Sequence, residues 1–235
     1  MVDNRSSLFY DSLMTLIARP SQLAALICPL CGAVETAFFY LDDRREYFRC
    51  HSCELVFVPA SYFLSLPAER AHYDRHENDS GDPRYRKFLS RLAEPMLEYL
   101  RPGDCGLDFG SGPGPTLSVM FTEAGWAMDI YDPTYKPVET VWRKEYDFIT
   151  ASEVVEHLHQ PLAEFQRLWS ILRPGGVLGL MTKRVQNLRA FENWHYKNDP
   201  THVMFYSDST FQWLSDHLGA RLQIVGPDVV LLHKA

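Results

Sequence analysis

Three features of the 235-residue sequence predict an α/β chain, with a largely parallel sheet covered by helices on both faces and a small metal-organised module in front of it. An apolar run ends in the glycine-rich turn Leu107-Asp108-Phe109-Gly110-Ser111-Gly112-Pro113-Gly114. Strand-like and helix-like segments then alternate to the C-terminus, and four cysteines near the N-terminus pair into two Cys-x-x-Cys knuckles. Such alternation builds crossover units of a parallel sheet. The predicted division is a helical segment over 1–25, a four-cysteine ribbon over 26–60, a linker and helix bordering the site over 61–100, and the main α/β domain over 101–235.

Composition bounds the class. Hydrophobic residues make up 46% and charged residues 23%, which suits one packed domain plus a small module and excludes disordered, collagen-like and coiled-coil chains. A net charge of −7 disfavours a nonspecific grip on nucleic acid, which needs lysine and arginine to displace counterions. The densest basic cluster, Arg84, Arg86, Lys87 and Arg91, reads as a solvated helix face. The apolar stretch Leu8–Ile27 is broken by Asp11, Arg19 and Pro20 and has no basic start, so it reads as neither export signal nor membrane span. The expected location is the cytoplasm, where paired cysteines favour a metal over disulfides.

The knuckles Cys28-Pro-Leu-Cys31 and Cys50-His-Ser-Cys53 are separated by 18 residues, the spacing of a zinc site. Two residues between thiolates let one tight turn present both sulfurs to one ion, and two turns complete a closed structural shell for Zn2+. Between them, Val34 to Phe48 reads as a hairpin about the charged turn Asp42–Arg45. A module this small cannot bury enough apolar surface alone, so metal binding would supply the missing free energy. His51 is expected to face solvent and Cys105 to be an inert core thiol.

Beyond the ribbon, a polar stretch holds Tyr73 and His76 among turn residues. A helix follows over Tyr85–Leu100, carried by the apolar spacing of Phe88, Leu89, Leu92, Met96, Leu97 and Leu100, with a kink or a split expected at Pro95. Residues 104–132 then read as strand, glycine turn, helix over 115–125, and strand ending at Asp132. That acidic residue lies 22 positions past Gly110, in register to bind the two hydroxyls of a ribose. Tyr146–Ser152 reads as the next parallel strand, and Glu153-Val-Val-Glu156-His157 as the start of a helix with Glu153, Glu156 and His157 on one face. Leu172-Arg-Pro-Gly-Gly176 is a turn before a strand over Val177–Thr182. Helix Ser209–Leu218 and strands Ala220–Val225 and Val229–His233 close the chain, the last two as an antiparallel edge. Only 14 residues separate Asp132 from Asp147, too few for a full helix and strand. Val138–Trp142 is therefore read as a short strand with the helix nearly deleted, which shortens the fold between strands 2 and 4.

The form LDFGSGPG resembles motif I of class I S-adenosylmethionine-dependent methyltransferases rather than the dinucleotide pattern GxGxxG. With Asp132, the acidic helix start and LRPGG in the same order, the resemblance covers about residues 101–235, and the whole chain is similar to small bacterial methyltransferases with a zinc ribbon. It implies a Rossmann-like class I sheet and S-adenosylmethionine as donor. Asp108 would lie near the donor's amino acid moiety, Gly110, Ser111, Gly112 and Gly114 would line its close approach, and Asp132 would hold the ribose. It assigns no contact to adenine, because the segment after Asp132 is shortened.

Glu153-Val-Val-Glu156-His157 with the later His202-Val-Met-Phe-Tyr-Ser resembles the metal-binding E-x-x-E-H…H arrangement of small-RNA 2′-O-methyltransferases and of catechol O-methyltransferases of ubiquinone synthesis. Two readings stay open at this point. In one, Glu153, Glu156, His157 and His202 hold a second divalent cation that acidifies the acceptor hydroxyl; in the other, His157 or His202 is a general base. Tyr73, His76, Trp194, His195 and Tyr196 are expected at the mouth of the site. The activity implied is methyl transfer to a small-molecule acceptor, O-methylation among the options, ahead of a zinc-ribbon RNA methyltransferase or a noncatalytic interaction protein with a degenerate domain. A nicotinamide oxidoreductase is disfavoured by the glycine pattern and by LRPGG. No membrane partner is expected, and nothing in the sequence speaks to oligomeric state.

Overall fold

The computed structural model describes residues 26–75 and 78–235; the helical reading of 1–25 and the placement of His76 lie outside the described residues. The ribbon opens with the hairpin of β1 (Thr36–Leu41) and β2 (Glu46–Cys50). Its turn is set by Asp42, whose Oδ1 accepts the backbone N–H of Arg44 and of Arg45 at 2.9 Å each, the local bond that makes aspartate a turn former. β3 (Val56–Phe57) adds antiparallel to β2. A fourth strand, β8 (Met204–Phe205), comes from the far end of the chain, with Val56 opposite Phe205 and Phe57 opposite Met204. The ribbon sheet is therefore completed by the main domain, a pairing the sequence did not announce.

The second sheet has six strands in the order β5-β4-β6-β7-β10-β9. β4 (Cys105–Phe109), β5 (Ala127–Tyr131), β6 (Tyr146–Ser152) and β7 (Leu172–Met181) are parallel, while β10 (Val229–Lys234) runs antiparallel between β7 and β9 (Ala220–Val225). Side chains alternate across it as strand geometry requires. Val229 and Leu231 enter one apolar cluster with Leu89, Leu92 and Phe121, whereas Val230 and Leu232 enter the other with Phe165, Leu168, Phe211 and Leu214. Helices Pro83–Leu97 and Thr116–Glu123 thus cover one face, and helices Pro161–Ile171 and Asp208–Leu218 the other. The ribbon's buried residues belong to the second cluster. Gly179 marks the closest approach on the first face, since a Cβ there would lie 2.2 Å from the Met96 sulfur.

Several expectations are corrected. Pro95 sits inside one continuous helix, Pro83–Leu97, which starts on the Asp82 cap and ends three residues before Leu100. Val138–Trp142 is no strand: the chain folds back at once through the Asp132–Lys136 bridge and makes a 3-10 turn, Glu139–Arg143, that tucks in Val141 and leaves β5 at the sheet edge. The LRPGG residues lie within β7 as an irregularity, with Gly175 at φ +80° and a register shift against β6 between Tyr146 and Phe148. Glu153–His157 opens no helix; a single 3-10 turn, Val155–His157, follows Glu153 in the left-handed region at φ +53°, and the helix waits for Pro161. Cys105 is half-buried rather than core, its thiol 3.4 Å from Asp147 Oδ2. The basic cluster does lie on a helix face, where Arg86 pairs with Glu123 and Arg91 with Asp228. No helix among the described residues is long and apolar enough to cross a membrane.

Candidate active site

The carboxyl ends of parallel strands are where an α/β sheet opens, because the connections after neighbouring strands leave in different directions there. Here β4, β5 and β6 end at one cleft of about 1470 Å3. It is lined by the turn after β4, by Ser152–Val154 and His157–Gln160, and by residues of the helix Leu66–Tyr73 and of the segment His195–His202.

The glycine turn is held by its neighbours. The N–H groups of Gly110 and Ser111 donate to the Tyr131 carbonyl at 2.8 and 3.2 Å, and the Gly112 N–H donates to Asp132 Oδ2 at 3.0 Å. Gly110 has φ +73°, and a Cβ on it would strike Val154 at 2.4 Å; one on Gly114 would lie 2.0 Å from the Asn78 carbonyl oxygen. Part of the need for glycine is therefore internal packing rather than ligand approach. Ser111 Oγ is buried without a hydrogen-bond partner among the described residues. Asp132 also accepts the N–H of Thr134 and Tyr135 at Oδ1, at 2.8 and 2.9 Å, so three of the roughly four acceptor positions of its carboxylate are taken by backbone. Asp108 is 4% exposed and, among the side chains of the described residues, accepts only the Thr150 hydroxyl at 2.8 Å; burial pushes its carboxyl up to about 7.

At the other end lies a carboxylate and imidazole cluster. Glu156 is fully buried; the Tyr196 hydroxyl donates to Oε1, and Oε2 has no hydrogen-bond partner among the described residues. Burial pushes its carboxyl up to about 7. Glu153 goes up to about 8, through burial first and then the charge of Glu156. His157 Nδ1 donates to the Thr201 carbonyl at 3.2 Å, and His202 Nδ1 donates to the Tyr196 carbonyl at 2.7 Å. Their rings are 4.7 Å apart. Burial depresses the His202 imidazole to about 4. One ligand-capable atom from each of Glu156, His157 and His202 lies within 4.8 Å of the others, a set Glu153 does not join. Helical spacing along Glu153–His157 does not create this cluster; a 3-10 turn and a distant loop do.

Tyr73, His195 and Tyr196 line the cleft, whereas Trp194 packs against Phe191 and Phe205 beneath it. Asp199 went unnoticed in the sequence. Against burial, the Thr201 hydroxyl and the adjacent His202 hold its carboxyl well below the usual range, and its Oδ2 is 3.0 Å from His72 Nε2. The signal was Asp199-Pro-Thr, in which aspartate caps the amide two residues on.

The four ribbon sulfurs also converge within 4.8 Å, with Cys28 3.5 Å from Cys53 and Cys31 3.4 Å from Cys50. A tetrahedron with metal–sulfur bonds of about 2.3 Å has edges of about 3.8 Å, so the set fits a zinc ribbon. Gly32 at φ +74° closes the first knuckle, and Glu54 at φ +61° closes the second. The Cys53 thiol draws Cys28 down to about 5, while burial pushes Cys31 up to about 12. His51 is exposed, as expected.

A glycine turn and an acidic residue at the ends of adjacent parallel strands, facing a polar cluster across one cleft, define a Rossmann-like α/β transferase fold. The profile of the methyltransferase domain family matches residues 73–223, and the chain belongs to that family. Among solved structures, a SAM-dependent methyltransferase from Archaeoglobus fulgidus superposes with TM-score 0.50 at 15% identity, covering 72% of this chain and 100% of that one. A magnesium protoporphyrin IX methyltransferase from Synechocystis with bound SAH gives 0.49 at 13%, over 74% and 97%. The 1,6-didemethyltoxoflavin-N1-methyltransferase of Burkholderia thailandensis gives 0.47 at 15%, over 84% and 99%. At such identities the likeness is one of fold. No curated protein matches the chain.

Asp108 makes stability depend on pH with a definite sign. Its carboxyl titrates at about 7 when folded and near about 3.9 when unfolded, so its contribution is full below the lower value and is lost as pH rises through the higher one. Between pH 5 and 8, urea unfolding of the ligand-free parent should lose about 2 kcal/mol more than that of Asp108→Asn. Equal losses would contradict the buried, protonated assignment.

Proposed function

We propose that the chain transfers a methyl group from S-adenosylmethionine to a small-molecule acceptor, with a hydroxyl oxygen as the accepting atom. The observation carrying this reading is that one cleft is lined both by the Gly110–Gly114 turn with Asp132 and by His157 and His202, beside whose imidazoles Glu156 lies buried. Donor and acceptor machinery thereby face a common space, the proximity that bimolecular transfer needs.

On the donor side, Asp108, Gly110, Ser111, Gly112 and Gly114 hold the amino acid end and Asp132 the ribose, through the one acceptor position its backbone bonds leave. The unpartnered Ser111 hydroxyl offers a further polar contact. In the reaction the acceptor oxygen attacks the methyl carbon, the carbon–sulfur bond breaks with its electron pair passing to sulfur, and the acceptor proton leaves to a base. An acceptor of small size is supported by the depth of the cluster, since Glu156 is fully buried and His202 7% exposed, and by the net charge of −7. Cys28, Cys31, Cys50 and Cys53 bind one structural Zn2+, a state favoured in a reducing cytoplasm.

For the acceptor end we favour the cation reading over a simple base. Glu156 Oε2 has no hydrogen-bond partner among the described residues, and each imidazole has Nδ1 within hydrogen-bond distance of a carbonyl, where donation favours the tautomer whose Nε2 carries a lone pair, as in histidine metal ligands. A His202 depressed to about 4 is a poor proton acceptor near neutrality but a good neutral ligand. A divalent cation there would lower the pKa of the accepting hydroxyl and orient it. The cation's charge would also lower the raised carboxyl of the neighbouring Glu153, which in its ionised form would accept the released proton.

Calorimetric titration tests the donor half. The parent should bind S-adenosylmethionine and not NADH, and Asp132→Asn should weaken binding by about 1.5–3 kcal/mol, the range for a hydrogen bond to a charged group. Binding of NADH alone would sink the assignment.

Metal dependence tests the acceptor half. Purified protein should carry about one zinc, lost in Cys28→Ser with Cys53→Ser. Mild chelation should abolish transfer of labelled methyl to a small-molecule extract while that zinc stays bound, because the acceptor-side set is open and more exchangeable. Full activity in Glu156→Gln, His157→Ala and His202→Ala would exclude both the cation and the base.

A further inference from the structure

The loop that delivers His202 is held from the ribbon. Four consecutive carbonyls before it, those of Lys197, Asn198, Asp199 and Pro200, each accept from an arginine of the β1–β2 turn: Arg45 Nη2 to Lys197 at 2.6 Å and to Asp199 at 2.8 Å, Arg45 Nη1 to Pro200 at 3.2 Å, and Arg44 Nη1 to Asn198 at 3.0 Å. Backbone carbonyls shielded from water need partners, and Arg45 serves the buried part of the run while Arg44 takes the exposed Asn198 carbonyl. Arg45 is 6% exposed, and its Nε is used on the Tyr47 hydroxyl at 2.9 Å. Asp42 braces the same junction by accepting from Tyr47 at 2.9 Å and pairing with Lys197 at 3.6 Å.

The clamped loop in turn sets the cluster. The Thr201 carbonyl takes the His157 Nδ1 proton, the Tyr196 carbonyl takes that of His202, and the Val203 N–H donates to the Glu156 carbonyl at 2.8 Å while its own carbonyl accepts from Val58 of the ribbon at 3.1 Å. From this geometry we propose that Arg45, assisted by Arg44, is a positioning residue for methyl transfer: the ribbon hairpin imposes the one loop shape that presents His202 and orients His157. The zinc ribbon is then a structural part of the acceptor site. The proposal rests on reading Glu156, His157 and His202 as acceptor-side machinery.

The test is hydrogen exchange on the full zinc-loaded chain, with methyl transfer and S-adenosylhomocysteine titration in parallel, for the parent, Arg45→Met, Arg45→Lys and Arg44→Ala. Arg45→Met should speed exchange of amides 199, 201, 202 and 203 by about tenfold or more while those of β4 and β7 stay within about twofold. Its zinc content and S-adenosylhomocysteine affinity should match the parent, and its kcat should fall about tenfold or more. Lysine keeps charge and donors but not the planar fork, so Arg45→Lys should recover part of both losses. Unchanged loop exchange, exchange raised equally in both sheets, or local loosening with full kcat would each overturn the proposal. If Arg45→Met yields no folded protein, Arg45→Lys and Arg44→Ala are judged by the same criteria. A parent that binds no S-adenosylhomocysteine or transfers no methyl would instead fail the functional reading, and loop exchange would still decide the clamp.

Discussion

The pairing of Val56–Phe57 with Met204–Phe205 joins parts of the chain that lie far apart in sequence, and much of the site depends on it. A two-residue strand contributes little by itself. Its consequence is positional, because the residues just before β8 must then pass over the open ends of β6 and β7, where Glu156 lies. The four-sulfur cluster stands at the base of the same sheet, with Cys28, Cys50 and Cys53 buried in the apolar cluster that also contains Phe205 and Tyr206. Convergence of the four sulfurs, ribbon folding and closure of the cleft are thus parts of one packing problem.

The two ends of the cleft are built on different physical grounds. The end at the glycine turn is shaped by backbone: glycines where the side chain of Val154 and the Asn78 carbonyl leave no room, and an aspartate whose oxygens are largely engaged in shaping its own turn. Around Glu156 and His202 the cleft meets a set of buried ionisable groups whose charges are resisted by their surroundings. Glu156 and Glu153 are pushed toward the neutral form, as is His202, and a backbone carbonyl lies within hydrogen-bond distance of Nδ1 on each imidazole. A pocket of this kind costs stability unless something completes its coordination or hydrogen bonding, which is the physical reason to look there for chemistry.

Local patterns in the sequence carried much of the fold. The spans of β6 and β9 read from the succession of strand-like and helix-like segments, the glycine turn from its composition, and the ribbon from cysteine spacing. What failed did so where tertiary context overrides local preference. Pro95 is absorbed in a packed helix, the residues after Asp132 fold back instead of extending, and Glu153 takes a left-handed conformation that no helical reading of Glu-Val-Val-Glu-His anticipates. Glu156, His157 and His202 were legible as candidates because their types are unusual together. Arg44 and Arg45 were not, since a charged hairpin turn reads as solvated and only the return of residues 197–203 to the ribbon buries it. Long-range closure of that sort leaves no mark in local sequence.

The claim at the centre of this account is that donor turn and imidazole cluster address the same reacting methyl group. A crystal structure with S-adenosylhomocysteine bound tests it most directly. The account predicts the ribose at Asp132, the amino acid end over Asp108, and the thioether sulfur facing Glu156, His157 and His202 with no protein atom between. A nucleoside bound outside this cleft, or a sulfur turned away toward Tyr85 and Phe88, would contradict it.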